Sequence, residues 1–271
     1  MVHFSSEAND ATTASHEQYI VPPVLRAIAV LRYIAAGNHC RNLSTSAKAL
    51  SINRTTLIRL VRTLQQERWI EEIAPGAGYQ LGSGLIALAA GAINDRDAVR
   101  IAKPVLARLA QQLNLSAHLG ILDGRDVVYM ARQSPNTHLV SNVREGTRLP
   151  AHATTMGRIL LAHLPTEELR RLYRDTGMKA FSEQTPTTFD ALIEQLSAER
   201  EKGIVWNVNS FEPGIGSCAC AIYDHTSQVI AAINVTGPDA YFKTGRTELH
   251  KIEQALRTAA EEISAALGYT R

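Results

Sequence analysis

Between residues 22 and 81 the apolar residues recur at helical spacing three times and then switch to short β-type runs, an order that fits few small folds. Pro22 and Pro23 suit a helix start, and Val24, Ile28, Leu31 and Ala35 follow at helical spacing until Gly37 and Asn38 stop the pattern. The spacing predicts a second short helix over 44–50, with Ala47 and Leu50 inward. It predicts a third over 53–67, with Leu57, Leu60, Val61 and Leu64 forming one stripe. Residues 69–73 and 79–81 read as strands flanking the turn segment Ala74-Pro75-Gly76-Ala77-Gly78. Residues 1–19 are polar, show no apolar period and are expected to form a disordered arm.

On the third helix, successive residues at 100° intervals place Thr55, Arg59, Arg62 and Gln66 opposite the apolar stripe. A face made of a hydroxyl, two guanidiniums and an amide suits phosphates and base edges in a major groove. Arg59 is the candidate for base contact; Arg54 and Thr56, nearer the helix N-terminus, suit phosphate positioning. The bland alternative is a solvated face on an ordinary three-helix domain. The helix, turn, helix, hairpin order disfavours that alternative. Charge, chance asymmetry aside, points the same way: residues 20–85 hold eight Lys/Arg against three acids, a net +5, while the whole chain is only +2 and the remainder therefore −3. A basic module joined to a mildly acidic one is the layout expected when only the first part approaches a polyanion.

Residues 83–93 are small and apolar with almost no polar face, so a helix there is expected to be covered by a second subunit. A new unit starts near residue 97, where Val99, Ala102, Leu106, Leu109 and Leu113 recur at helical spacing; Pro104 implies a late start or a kink. Strands over 117–122 and 127–132 bracket an Asp123-Gly124 turn, and 139–143 is another candidate strand. Leu249, Ile252, Leu256, Ala259, Ile263 and Leu267 define a long amphipathic helix ending at Gly268. In residues 217–222, strand alternation puts Ser217 and Ala219 on one face and Cys218 and Cys220 on the other. In 232–236 it groups Asn234 with Thr236, opposite Ile233 and Val235. Polar groups isolated in apolar strands can orient a ligand.

Several classes are disfavoured. The longest apolar runs fall short of the roughly 20 residues that cross a bilayer, and no basic-then-apolar leader opens the chain, so a cytoplasmic protein without membrane contact is expected. Three cysteines, Cys40, Cys218 and Cys220, without framework spacing fit a reducing compartment. Cys218-x-Cys220 lacks a second Cys/His pair, His118 and His152 lack spaced partners, and no nucleophile-elbow, phosphate-loop or His-Glu-x-x-His pattern occurs. No metal, cofactor or catalytic residue is expected, and His152 reads as a structural hydrogen-bonding residue.

Residues 47–60 (Ala-Lys-Ala-Leu-Ser-Ile-Asn-Arg-Thr-Thr-Leu-Ile-Arg-Leu), Thr63-Leu64 and Tyr79-Gln80-Leu81-Gly82 resemble the IclR family of transcriptional regulators. So do residues 144–162, from Arg144-Glu145-Gly146-Thr147-Arg148-Leu149-Pro150 through Thr154-Thr155-Met156-Gly157. Lys202-Gly203, Pro213-Gly214 and Val235-Thr236-Gly237-Pro238 add to the match, which spans roughly 20–268. The resemblance implies an α+β chain: an N-terminal winged helix-turn-helix domain (20–82), a linker helix (83–97) and an effector-binding domain (98–271). That last domain would carry a curved antiparallel sheet similar to GAF-type sensory domains. The implied DNA-binding residues are Arg54, Thr55, Thr56, Arg59 and Arg62, and the implied effector contacts are Thr155, Met156, Asn207, Ser217, Asn234 and Thr236. The implied partners are double-stranded operator DNA, a small organic acid and further copies of the chain in a dimer or tetramer. Ser51 stands where many helix-turn-helix turns carry glycine, which requires a left-handed serine or a different turn. The family commonly has acids after the Lys-Gly step, whereas this chain has Asn207, Asn209 and nearby Trp206, which suits a less hydrophilic acid, an aromatic one included. A dimerising small-molecule-binding adaptor and an enzyme of the C-terminal domain are the competing readings.

Overall fold

The structure, a computed structural model, describes residues 19–94, 96–135, 143–209 and 211–270. The expected arm, apart from Tyr19, and the expected strand over 139–143, apart from Val143, lie outside them. The chain divides into two compact units between Ala92 and Ile93.

In the first unit, α1 (Pro22–Ala35), α2 (Leu43–Ala49) and α3 (Arg54–Gln66) precede a hairpin of β1 (Ile70–Ala74) and β2 (Gly78–Leu81). Two asparagines set the helix starts. Asn42 Oδ1 accepts from the Ser44 and Thr45 amides, and Asn53 Oδ1 accepts from the Thr55 amide, which satisfies N–H groups that have no partner within the helix. Leu57, Val61 and Leu64 of α3 are buried with Val30, Ile34, Ala47, Ile52 and Ile70 in one core. Ser51 adopts φ 54°, so the turn between α2 and α3 keeps the left-handed geometry and a serine bears its steric cost. The phase of α1 departs from expectation: Val24 and Ile28 are 54% and 38% exposed, and the buried positions are Val30 and Ile34. Only the second half of α1 meets the core, so the repeat in its first half faces outward. The hairpin is fastened to the loop before α2, where His39 O accepts from the Tyr79 amide at 2.7 Å and Arg41 Nε donates to Ala77 O at 3.0 Å. After the hairpin, α4 (Ser83–Asn94) carries Ile86 and Leu88 at 67% and 56% exposure.

In the second unit, α5 (Asp97–Leu113) is followed by β3 (Ser116–Asp123), β4 (Asp126–Gln133) and β5 (Arg148–Pro150). Then come α6 (Thr155–Leu161), α7 (Thr166–Tyr173), α8 (Phe189–Lys202), β6 (Val205–Val208), β7 (Ile215–Tyr223), β8 (Val229–Pro238) and α9 (Arg246–Ala266). Pro104 lies inside α5, which starts at Asp97 rather than late. The six strands form one curved antiparallel sheet in the order β5-β4-β3-β8-β7-β6, so β3 and β8, far apart in sequence, are central neighbours.

Strand alternation gives this sheet two unlike faces. Leu119, Cys218, Cys220, Ile222, Ile233 and Val235 pack under α5 and α9 in a dry core. Ala219, Ala221, Ala232, Tyr129 and Val205 face the other way, against α6 and α8. A bulge where β4 passes Leu119–Gly120 inserts Met130 between the partners Ala131 and Tyr129, which returns Tyr129 to the α6 side.

α6 sits unusually close to the chain before it. A Cβ on Gly157 would lie 2.1 Å from Ala151 O and 2.2 Å from Ala151 Cα, backbone atoms that cannot swing away. Gly157→Ala is therefore expected to lower the unfolding free energy of the second unit by about 1–3 kcal/mol, the usual cost of overpacking. Urea unfolding of the full chain measures this, and a variant as stable as the parent would show that the approach is looser than the geometry states.

Candidate functional site

Two constellations stand out, one in each unit. On α3, Arg54, Thr55, Arg59 and Arg62 are exposed and Thr56 is half-buried, with the apolar stripe turned to the core. Arg54 Nε donates to Ser44 Oγ at 3.1 Å, which ties the start of α3 to α2. Among the described residues, every ion pair lies at residue 97 or beyond, so the guanidiniums of this helix are not neutralised by a neighbouring carboxylate. The face thus presents positive charge together with hydroxyl and guanidinium donors, as recognition of a polyanion requires.

In the second unit a cavity of about 60 Å³ opens between the sheet and the start of α6. Of the residues expected there, Thr155, Asn207, Ser217, Asn234 and Thr236 line it together. Each comes from a different place: Thr155 from α6, Asn207 from β6, Ser217 from β7, Asn234 and Thr236 from β8. Antiparallel register aligns them, since Ser217 pairs with Thr236 and with Asn207 across the sheet. Met156 does not belong to the lining. The 100° step along α6 turns it away from Thr155 and into the apolar cluster, where it is fully buried with its Cε near Gly120. Trp206 also points elsewhere: alternation along β6 sends it to the opposite face, against Phe242 at 6.2 Å between ring centroids. Asn209 is structural, donating to Asp239 Oδ2 and accepting from the Gly214 amide.

The lining includes side chains that sequence reasoning missed, chiefly His118, Tyr129, Thr154, Leu149 and Phe211. A single hydrogen-bonded chain crosses the cavity wall. His118 Nδ1 meets Asn234 Oδ1 at 2.9 Å, Asn234 Nδ2 donates to Ser217 Oγ at 3.1 Å, and Ser217 Oγ lies 2.7 Å from Thr155 Oγ1. Tyr129 sets its ring edge-on to His118 at 5.4 Å, and burial pushes its phenol well above the ordinary range. Thr236 Oγ1 is committed to Gly216 O and Thr154 Oγ1 caps α6 by accepting from the Gly157 amide. His152, before α6, bonds Lys179 O through Nε2 at 3.0 Å.

Arg158, one turn into α6, fixes this arrangement from behind. Its Nε reaches both carboxylate oxygens of Glu199 at 2.9 and 3.1 Å, and Nη2 donates to Trp206 O at 3.2 Å. Burial raises the Glu199 carboxyl above its ordinary value despite the guanidinium beside it.

Burial also holds the His118 imidazole down at about 4, against an ordinary 6.5, with the Asn234 hydrogen bond opposing and Arg132 assisting. Above pH 6.5 the ring is neutral in folded and unfolded chains alike; below it only the unfolded chain takes up the proton. Stability is therefore lost as pH falls from 6.5 toward 4, by on the order of 3 kcal/mol from this residue. His152 and His163, also lowered by burial, add losses of the same sign. Unfolding free energies of the parent and of His118→Gln across this range are expected to converge toward the acid end, and parallel pH curves would contradict the assignment.

The comparisons with known proteins agree with this geometry. The family model for the IclR helix-turn-helix domain matches residues 23–73, and the model for the bacterial transcriptional regulator IclR C-terminal domain matches 90–265. The HTH-type transcriptional regulator XynR of Escherichia coli K12 is 29% identical over 250 residues, covering 92% of this chain and 98% of XynR. The crystal structure of a candidate regulator from Rhodococcus sp. RHA1 superposes with a TM-score of 0.79 at 31% identity, covering 92% of this chain and 98% of that one. The inducer-binding domain of the transcription factor PobR from Acinetobacter, solved as a double mutant with 3-hydroxybenzoic acid, gives a TM-score of 0.55 at 27% identity. It covers 61% of this chain and 96% of that one. No helix among the described residues is long and apolar enough to cross a membrane. The chain belongs to the IclR family of transcriptional regulators, with a DNA-binding helix-turn-helix domain at its N-terminus and an effector-binding domain at its C-terminus.

Proposed function

We propose that this cytoplasmic regulator docks α3 in the major groove of operator DNA, with Arg59 reading a base edge and Arg54, Thr55, Thr56 and Arg62 fixing the helix on the backbone. The observation that carries this reading is the exposed α3 face, whose arginines form no ion pair among the described residues. Residues 20–82 then serve as the DNA-binding module, 83–97 as the linker and 98–271 as the sensor. The chain works as a dimer or tetramer: Val24, Leu25 and Ile28 of α1 and Ile86 and Leu88 of α4 are exposed apolar side chains that a second copy would cover. Two copies present two α3 helices to the half-sites of a near-palindromic operator.

The effector in this reading is a small organic acid, held in the cavity beside Thr155, Asn207, Ser217, Asn234 and Thr236. Among the described lining residues there is no lysine or arginine and one carboxylate, Glu212, so in this reading the acid group is held by neutral donors, the Thr155 and Ser217 hydroxyls foremost. Support for an aromatic acid comes from Tyr129 and Phe211 in the wall and from the hydroxybenzoate bound by the PobR domain, rather than from Trp206. The chain acts by binding and not by catalysis, as its relatives are regulators. An effector shifts DNA binding only through its unequal affinity for the DNA-competent and DNA-incompetent states.

Binding of the full chain to DNA from its own genomic neighbourhood, over a salt series and with added carboxylic acids, tests the whole reading. Salt-sensitive, sequence-selective binding is expected, altered by at least one acid. Arg59→Ala is expected to weaken it by about 1–3 kcal/mol and to relax preference at one base pair. Undiminished binding by Arg59→Ala would remove that residue from the interface. No selective binding to any upstream fragment would favour the dimerising adaptor instead.

A further inference from the structure

His118 is completely buried, forms part of the cavity wall, and makes one hydrogen bond, from Nδ1 to the side-chain oxygen of Asn234. Its Nε2 has no hydrogen-bond partner among the described residues, a condition shared only with Arg125 Nε, which is not among the residues lining this cavity. A buried polar atom without a partner is costly and in native proteins is the exception. This one belongs to a ring that is itself part of a ligand cavity's wall.

The network decides what Nε2 can do. Asn234 donates through Nδ2 to Ser217 Oγ, which leaves its Oδ1 toward the histidine, and Oδ1 can only accept. With the Asn234 amide in the orientation the structure gives it, the imidazole proton resides on Nδ1. With the ring held neutral by burial, Nε2 carries a lone pair and no hydrogen. Asn234 is in turn held by Ser217, and Ser217 by Thr155 at the start of α6. His118 also has Tyr129 edge-on against it and stands opposite Asn234 in the β3–β8 register, so the ring has little freedom to turn.

We infer that His118 is a specificity-determining residue of the effector cavity, accepting a hydrogen bond through Nε2 from a hydroxyl group that the effector carries in addition to its acid group. This rests on the reading of the cavity as the effector site and adds to it the chemical class, a hydroxylated acid. A site with a built acceptor discriminates strongly against an analogue that cannot donate, because binding that analogue leaves the acceptor dry and unpaired. The Asn234–Ser217–Thr155 chain connects the ring to α6, so the hydroxyl is sensed by the same strands that line the cavity.

Calorimetric titration of the full chain with benzoate, its 3-hydroxy and 4-hydroxy forms, and the corresponding methyl ethers tests the inference. At least one hydroxylated acid is expected to bind tenfold or more tightly than benzoate, with its methyl ether, which cannot donate, losing that gain. In His118→Phe, which keeps a ring and lacks the acceptor, the preference is expected to fall below twofold. Should that variant fail to fold, ¹⁵N spectra of histidine-labelled parent protein give the answer directly. The His118 Nε2 resonance is expected to move with the hydroxylated acid and to stay in place with benzoate. Equal affinities for benzoate and its hydroxylated forms, or a methyl ether that binds as well as the phenol, would overturn the role of His118 while leaving the acid-effector reading intact. Failure of all of these acids to bind would overturn both the role of His118 and the aromatic-acid reading.

Discussion

Arg158 is where the elements around the cavity are held to one another. Its guanidinium spends one edge on the Glu199 carboxylate of α8 and another on the Trp206 carbonyl of β6, while its own backbone belongs to α6. The ion pair is nearly dry, with 4% and 12% side-chain exposure. In such surroundings the cost of removing charge from water offsets much of the attraction, so the pair adds little to net stability compared with well-packed apolar residues. What it supplies is position. A mispaired α6 would leave a bare charge inside the protein, and that penalty selects the arrangement in which Thr155 and Asn207 line one cavity.

The rest of the sensor follows from the period of two in its strands. One face of the β3–β8–β7 centre is wholly apolar and closed by α5 and α9. The other carries His118, Asn234, Thr236 and Ser217 among alanines. Small neighbours on that face leave the space into which polar groups converge. The glycine at 157 serves the same end from above, since it lets α6 approach Ala151 closely enough for Thr154 to cap it and Thr155 to reach Ser217.

What could be read from the chain beforehand was whatever neighbouring residues decide between themselves. The stripe of α3, the hairpin and the polar alternation of β7 and β8 are local patterns, and all are present. The failures are long-range. Val24 and Ile28 have a helical repeat, but both are exposed among the described residues, and periodicity cannot say where a helix outruns its core. His118 looked solitary because its partner Asn234 is 116 residues away and adjacent only through the β3–β8 pairing. Alternation in the 117–122 run could have put His118 on a face, but not on this face of this sheet. Trp206 was close in sequence to the site residues and one strand position off in space, which reverses its direction. Met156 adjoins Thr155 in the family motif, yet neighbouring helix residues diverge by 100°. Ser51 shows that a turn can keep its geometry after losing the residue that makes it easy.

The size of the cavity has a kinetic meaning. At about 60 Å³ it accommodates roughly two water molecules, far less than a benzoate ring requires. On the aromatic-acid reading the walls must part to admit the ligand, and the observed affinity is then the intrinsic one reduced by the share of the open form. On that reading association is paced by how often the walls part, which places it below the diffusional limit and makes it respond more to temperature than to ionic strength. A substitution that trims a wall side chain could then strengthen the response without touching any atom that recognises the effector, because it would enlarge the receptive fraction alone.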